Sequence, residues 1–186
     1  MHALAKDCSN LGASIFENSK FISYQIDGGR INSRVFNGNE MVKVQSEKIV
    51  FATGGYGGKE IKDLKGYWLP IKTFIGVTKP IGNELQSVLK KPLGFSDNRR
   101  AGNYYRVLPG NRLSWGRGIS AVGKFTHSNL KREISKEINY FFPELRNVEI
   151  DYVWFGNMAY ASHYMPYVGS IKIGNEENVF TLMGFG

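Results

Sequence analysis

The chain has 186 residues, of which 42% are hydrophobic and 22% are charged, a composition typical of a folded globular protein with a substantial core. A single cysteine excludes an internal disulfide framework and favours a reducing, cytoplasmic location, and no apolar run is long enough to cross a membrane. The formal net charge of +8 favours anionic partners, but the basic residues are scattered, which is more typical of a solvated surface than of a nucleic-acid patch.

The first elements along the chain are a helix and a β-meander. Leu4, Cys8 and Leu11 share one face of a helix within residues 1–12, which ends at Gly12, and residues 13–16 are predicted as a short strand. Strands at 21–27, 30–36 and 41–45 follow, joined by glycine-containing turns. The pattern predicts a three-stranded antiparallel meander that leads into the apolar run beginning at Ile49.

That run, Ile49–Ala52, is typical of a parallel strand buried on both faces. It ends in Thr53-Gly54-Gly55, where bare backbone can turn sharply and approach a ligand. Ligands of open α/β sheets lie just beyond the carboxyl ends of the strands. An ordinary tight turn after a core strand is the commoner explanation of such glycines, so this motif indicates a cofactor loop only in combination with others.

The second half of the chain predicts a mostly antiparallel sheet with one helix. Residues 69–79 form a β-rich segment, and residues 103–108 and 112–116 form a hairpin around the turn at 109–111. Apolar residues at a period near 3.6 predict a helix over Ser128–Phe142, which Pro143 ends. Strands at 148–155 and 178–183 complete the chain, and both chain ends interrupt an element, so we expect a partial chain.

Four segments together resemble one family, the FAD-dependent oxidoreductases of the D-amino-acid oxidase type, with glycine oxidase-like and gamma-glutamylputrescine oxidase-like members as the nearest. These segments are Ile49–Gly55, Tyr104–Gly118, Trp154–Gly169 and Phe180–Gly186. The resemblance implies an FAD-binding part with a β-meander, formed by residues 1–65 and 164–186, and a substrate domain over residues 66–163. The family's strand–Gly-x-Gly-x-x-Gly–helix unit, which grips the FAD pyrophosphate, is absent from this sequence.

The resemblance also implies which residues contact FAD. Backbone around Ala52, Thr53, Gly54 and Gly55 would approach the ADP part, and Phe21 would lie near the adenine, although an ordinary sheet aromatic is an equal reading of Phe21. Those expected beside the flavin are Gly169, Gly184, Phe185 and Gly186. The three histidines and the one cysteine show no metal-ligand spacing, so no metal is expected.

Arg106, Arg117 and Tyr104 are the candidates for substrate binding. Arginine presents a planar fork of donors that matches a carboxylate, and strand parity puts Tyr104 and Arg106 on one face, opposite Tyr105. Exposed strand positions are an equal reading of both arginines. Trp115 and Trp154 are candidates for an aromatic pocket, with core packing favoured for Trp154.

The resulting expectation is an α/β protein that oxidises an amine or amino acid by hydride transfer to FAD, with weak or no FAD binding and no turnover by this chain alone. Two alternatives stay open. One is a non-catalytic flavoprotein remnant. The other is a flavoprotein of tRNA modification, which only the net charge suggests.

Overall fold

The structure is a computed structural model that describes residues 2–57, 61, 64–99, 102–120, 126–145, 147–173 and 176–185. The chain divides into two compact units. The first comprises Met1–Ala52, Gly57–Lys65 and Val168–Leu182, and the second comprises Thr53–Tyr56, Gly66–Tyr167 and Met183–Gly186. In the described part of the chain, no helix combines the length and the apolar composition that a membrane crossing requires.

The first unit begins with the predicted helix and meander. Helix α1 spans His2–Asn10, and strands β1 (Lys20–Asp27), β2 (Arg30–Phe36) and β3 (Met41–Ser46) pair in that order, antiparallel. Gly28 and Gly29 both have positive φ, 54° and 76°, which is the backbone that a two-residue hairpin turn requires. The meander prediction is therefore confirmed.

The parallel strand is also confirmed, although not its burial. Strand β4 (Ile49–Phe51) pairs in parallel with the last strand of the chain, β11 (Glu176–Met183), and β11 in turn neighbours β10 (Tyr167–Ile173). Phe51 is buried, but the neighbouring Val50 is 57% exposed, so β4 is not buried on both faces as predicted. An apolar run shows only that both faces tolerate burial, not that a layer covers each.

One local prediction in this unit is wrong. Residues 13–16 are irregular rather than a strand, and Ile15 and Phe16 are exposed, because these residues pair with no strand of the described chain. In the second unit, the chain turns at residues 162–165 before it enters β10, where the Tyr164 N–H donates to the Ala161 carbonyl and Tyr164 has a φ of 60°. Val168 and Gly169 are part of β10.

The second unit is a five-stranded antiparallel sheet with a helix on one face. Its strands have the order β6-β7-β8-β5-β9. The bounds are β5 Trp68–Thr78, β6 Gly94–Ser96, β7 Tyr104–Leu108, β8 Arg112–Ser120 and β9 Ile150–Ala161. A short helix, α2 (Glu84–Val88), and strand β6 were missed by the sequence patterns, because neither is long enough to show a period.

Helix α3 (His127–Phe141) covers one face of this sheet, which we call the helix face. Its N-cap Thr126 accepts a hydrogen bond from the Asn129 N–H, and its apolar stripe is fully buried at Ile134 and Ile138. A side chain at Gly76 would meet Ile134 Cδ1 at 2.8 Å, so glycine at this position lets the helix lie close to β5. The predicted sheet with a packed helix is therefore present.

Candidate functional site

The opposite side of the five-stranded sheet, which we call the open face, carries Tyr104 and Arg106. On the helix face Tyr105 stacks on Trp115, with ring centroids 4.6 Å apart and an interplanar angle of 10°. Because successive strand residues alternate between faces, Tyr104 and Arg106 point to the open face, as strand parity predicted. Burial in the aromatic stack raises the pKa of Tyr105, a further sign that this residue belongs to the core.

Strand register aligns the open-face residues in rows that cross the sheet. Tyr104 on β7 is opposite Gly116 on β8, Gly116 is opposite Ile75 on β5, and Ile75 is opposite Trp154 on β9. In the next row Arg106 is opposite Ser114, which is opposite Val77. Side chains that are far apart in sequence therefore share one surface.

These rows line a groove of about 410 Å³. Gly116 at its floor leaves room for the Tyr104 ring, which lies over this position and would have to move if a side chain were present. Tyr104 is 41% exposed and Trp154 is 46% exposed, so both rings are available to a ligand. Trp154 was assigned to the core by sequence reasoning, and this is wrong: Trp115 is the fully buried tryptophan, and Trp154 lines the groove.

Arg106 differs from other arginines of this unit in having no carboxylate partner among the described residues. Arg99 pairs with Asp97 and Arg112 pairs with Asp151, each at 2.6 Å. An unpaired guanidinium in a largely apolar groove is suited to bind a carboxylate in a bidentate manner.

Arg117, the other candidate arginine, lies on the helix face. Its Nε is 2.9 Å from Oε2 of Glu137 on α3. The same carboxylate accepts hydrogen bonds from Trp115 Nε1 at 3.3 Å and from Asn103 Nδ2 at 3.1 Å. The structure therefore does not bring Arg117 together with Arg106 and Tyr104, and its charge is already neutralised by Glu137.

The loop that follows β4, at residues 54–56, packs against β9 on the open face. The Tyr56 hydroxyl accepts a hydrogen bond from the Asn157 N–H of β9 at 3.1 Å. A side chain at Gly55 would lie 2.5 Å from the Asn157 carbonyl carbon, so this glycine is needed for packing against β9. Gly54 has a φ of +55° with open space where its side chain would be, so its bare backbone is accessible. Sequence reasoning missed Tyr56, because its hydrogen-bond partner Asn157 lies 101 residues further along the chain.

The remaining residues expected near FAD have separate environments. In the second unit, Thr53 donates a hydrogen bond to Met183 Sδ, Gly184 has a φ of +81°, and the 64% exposed Phe185 lines a cavity of about 260 Å³ together with Tyr160 and Tyr164. Gly186 lies outside the described residues.

In the first unit, Ala52 directly follows β4 and is exposed, and Gly169 has nothing within 4 Å of the position of an added side chain. Phe21 packs edge-on against Phe51, with ring centroids 5.3 Å apart. This packing is what we expect if Phe21 is an ordinary aromatic residue of the sheet.

A second cavity of comparable size, about 440 Å³, lies beyond the end of β5. Its lining includes Lys79 and Glu149, which pair with each other at 2.6 Å, and this bond raises the pKa of Lys79. Lys79 is thus already paired, and the other charged side chains in the lining, Glu84 and Glu144, are acidic. This cavity therefore does not suit a carboxylate, and the groove on the open face is the better candidate.

Comparisons with known proteins agree with this architecture. A model of the family DAO, described as FAD dependent oxidoreductase, matches residues 1–186. The chain is 28% identical over 174 residues to the probable oxidoreductase OrdL of Haemophilus influenzae, covering 91% of this chain and 38% of that protein. It is 26% identical over 145 residues to the gamma-glutamylputrescine oxidoreductase of Escherichia coli, covering 77% of this chain and 33% of that protein.

Two solved structures share the fold. Glycine oxidase from Geobacillus kaustophilus matches with a TM-score of 0.73 at 18% identity, over 98% of this chain and 47% of that one. L-proline dehydrogenase from P. horikoshii matches with a TM-score of 0.73 at 19% identity, over 99% of this chain and 48% of that one. The chain thus spans less than half the length of each of these four proteins.

Proposed function

The chain belongs to the DAO family of FAD-dependent oxidoreductases, and from this membership we propose that it forms the substrate-facing part of an enzyme that oxidises an amine or an amino acid. FAD, when bound, supplies the oxidising group that takes a hydride from the carbon next to the amine nitrogen. The chain's own residues bind and orient the substrate and keep water away from it.

The observation that carries the proposal is the placement of Arg106 beside Tyr104 on the open face, without a carboxylate partner in the described chain. Arg106 would hold the carboxylate of an amino acid by two parallel hydrogen bonds. Tyr104 would provide a ring wall and a hydroxyl next to that anion. The apolar floor at Ile75 and Val77 would exclude water around the reacting carbon.

Accessible bare backbone supports the FAD contacts that we propose. In the second unit, Gly54 and Gly184 both have positive φ, and Gly54 faces open space, so a ligand can approach its peptide groups. In the first unit, Gly169 is equally open. The proposed FAD contacts are therefore the backbone at Ala52, Thr53, Gly54, Gly169 and Gly184, with Phe185 as an exposed aromatic neighbour. Gly55 does not fit this role, because β9 occupies the space next to it.

We further propose that the isolated 186-residue chain binds FAD weakly and does not turn over. OrdL of Haemophilus influenzae and the Escherichia coli gamma-glutamylputrescine oxidoreductase are more than twice its length, and its sequence has no Gly-x-Gly-x-x-Gly motif to hold a pyrophosphate. Titration of the purified chain with FAD, followed by flavin fluorescence, tests this. Tight FAD binding and substrate-dependent bleaching of the flavin would contradict this proposal and show that the 186-residue chain is sufficient for FAD binding and catalysis.

The reaction is tested in the longest reading frame that includes this chain, loaded with FAD and mixed anaerobically with a panel of amino acids and simple amines. Loss of the visible flavin absorbance reports reduction. Arg106→Lys is expected to raise KM for carboxylate-bearing substrates by about 10- to 100-fold with a smaller change in kcat, because lysine loses the bidentate geometry. Arg34→Lys, an exposed strand arginine in the first unit, is the matched control and should change neither constant.

FAD binding without reduction by any compound of the panel would support the non-catalytic alternative. Equal KM values for amines with and without a carboxylate would reject the role of Arg106.

A further inference from the structure

The groove on the open face extends across the strands, with Arg106 and Tyr104 at one end and Trp154 at the other. Arg106 lies on β7 and Trp154 on β9, with β8 and β5 between them. Three interstrand spacings place these two strands about 14 Å apart. A ligand held by Arg106 would therefore have to cross two strands to reach Trp154.

The floor between these two ends is apolar. Ile75 and Val77 of β5 line it, with Ser114 of β8 as a small polar neighbour. Among the described residues, the lining includes no aspartate or glutamate. A ligand lying on this floor would bury hydrocarbon and would find no counter-charge for an ammonium group at the far end.

The volume of the groove also exceeds what a small substrate needs. Its 410 Å³ falls in the range of sites for elongated small molecules, whereas an amino acid without a side chain would occupy only the region next to Arg106. The exposed Trp154 ring at the other end then has no role in binding a small amino acid.

We propose that this groove selects an elongated carboxylate whose tail is apolar or aromatic: Arg106 binds the carboxylate, the tail lies over Ile75 and Val77, and Trp154 packs against its end. The inference rests on the proposed function, since it names the substrate class of the same site. It differs from a site for small amino acids by making Trp154 the residue that determines specificity for tail length.

Binding to the 186-residue chain tests the proposal without FAD and without turnover. Isothermal titration calorimetry would compare acetate, hexanoate and phenylhexanoate, with phenylhexanamide as the uncharged analogue. Phenylhexanoate is expected to bind at least about tenfold more tightly than hexanoate, because its ring adds apolar contact at the Trp154 end. Phenylhexanamide is expected to bind at least about tenfold more weakly than the acid, because it cannot form the charged bidentate pair.

Substitutions assign each end of the ligand to one side chain. Trp154→Ala should remove the preference for phenylhexanoate over hexanoate, and Trp154→Phe should keep most of it, while hexanoate binding stays within about twofold in both. Arg106→Gln should make acid and amide bind equally, and Arg34→Gln, which removes a charge elsewhere, should change nothing. Near-ultraviolet circular dichroism verifies that each variant keeps the native packing.

Equal affinities for acetate and phenylhexanoate would overturn the inference and leave the proposed reaction intact, since Arg106 would still bind small carboxylates. Unchanged binding in Trp154→Ala or in Arg106→Gln would also overturn it. Length-dependent binding with no flavin reduction in the longer protein would support the groove and reject the reaction.

Discussion

Replacing Arg117 by methionine is expected to destabilise the second unit, because the structure makes this arginine a partner of Glu137 rather than a ligand of substrate. The Glu137 carboxylate is 16% exposed and accepts from three groups, Arg117 Nε, Trp115 Nε1 and Asn103 Nδ2. Methionine keeps much of the apolar stem of arginine and removes the charge. The change therefore isolates the ion pair from side-chain packing.

The expected loss of unfolding free energy follows from how exposed the Arg117–Glu137 pair is. Hydrogen bonds to a charged group contribute about 1.5–3 kcal/mol when buried, and exposed pairs contribute about 0.2–1 kcal/mol. Arg117 is 33% exposed, so its removal should lower the free energy of unfolding by about 1–2 kcal/mol. Glu137→Met should cost about 3 kcal/mol, because it also leaves the indole N–H of the fully buried Trp115 without its acceptor.

Urea unfolding followed by tryptophan fluorescence is a suitable assay, because all three tryptophans of the chain, Trp68, Trp115 and Trp154, lie in the second unit. Combining both changes gives a double-mutant cycle, in which we expect a coupling energy of about 1 kcal/mol. Arg106→Met is the matched control from the open face and should change the stability by less than about 0.5 kcal/mol.

Additive effects in the cycle, or equal effects of Arg117→Met and Arg106→Met, would refute this reasoning. A loss of carboxylate binding in Arg117→Met, with stability unchanged, would restore Arg117 as a substrate-binding residue.

Two further predictions use the same unfolding assay. Gly55→Ala should destabilise by about 2–3 kcal/mol, because its methyl group would lie 2.5 Å from the Asn157 carbonyl carbon. Gly54→Ala should cost only about 1 kcal/mol for its positive φ, and equal costs of the two changes would contradict the packing role of Gly55. Hydrogen bonds from Arg99 and then from the Asn103 N–H lower the pKa of Asp97 from its ordinary 3.8 to about 2. Because the pKa is lower in the folded state, the contribution of Asp97 is complete above about pH 4 and is lost as the pH falls to about 2. Asp97→Asn should therefore flatten the pH dependence of stability within that window, and an unchanged slope would contradict this assignment.

Locally encoded elements could be predicted from the sequence. The glycine pair at 28–29, the period of the apolar residues in α3 and the turn at 109–111 each specify a conformation within a few residues. The predicted elements there agree with the structure. Strand β10 was missed, because the Val-Gly-Ser segment at residues 168–170 interrupts the alternation of apolar and polar residues that indicates a strand.

In the candidate site, too, only the features that depend on neighbouring residues could be predicted from the sequence. Strand parity correctly placed Tyr104 and Arg106 on one face, since alternation depends only on neighbouring residues. Parity did not show which face α3 covers, and for this reason Arg117 was grouped with Arg106 and Trp154 with the core.

By itself, then, the sequence determined the family, the meander, the antiparallel sheet and the shared side of Tyr104 and Arg106, because each depends on motifs or periods read along the chain. Only the tertiary structure decided that Arg117 is neutralised by Glu137, that Gly55 packs on β9 and that Trp154 lines the groove. The reason is physical: a side chain's function depends on what covers its face of the sheet, and the covering element lies many residues away along the chain.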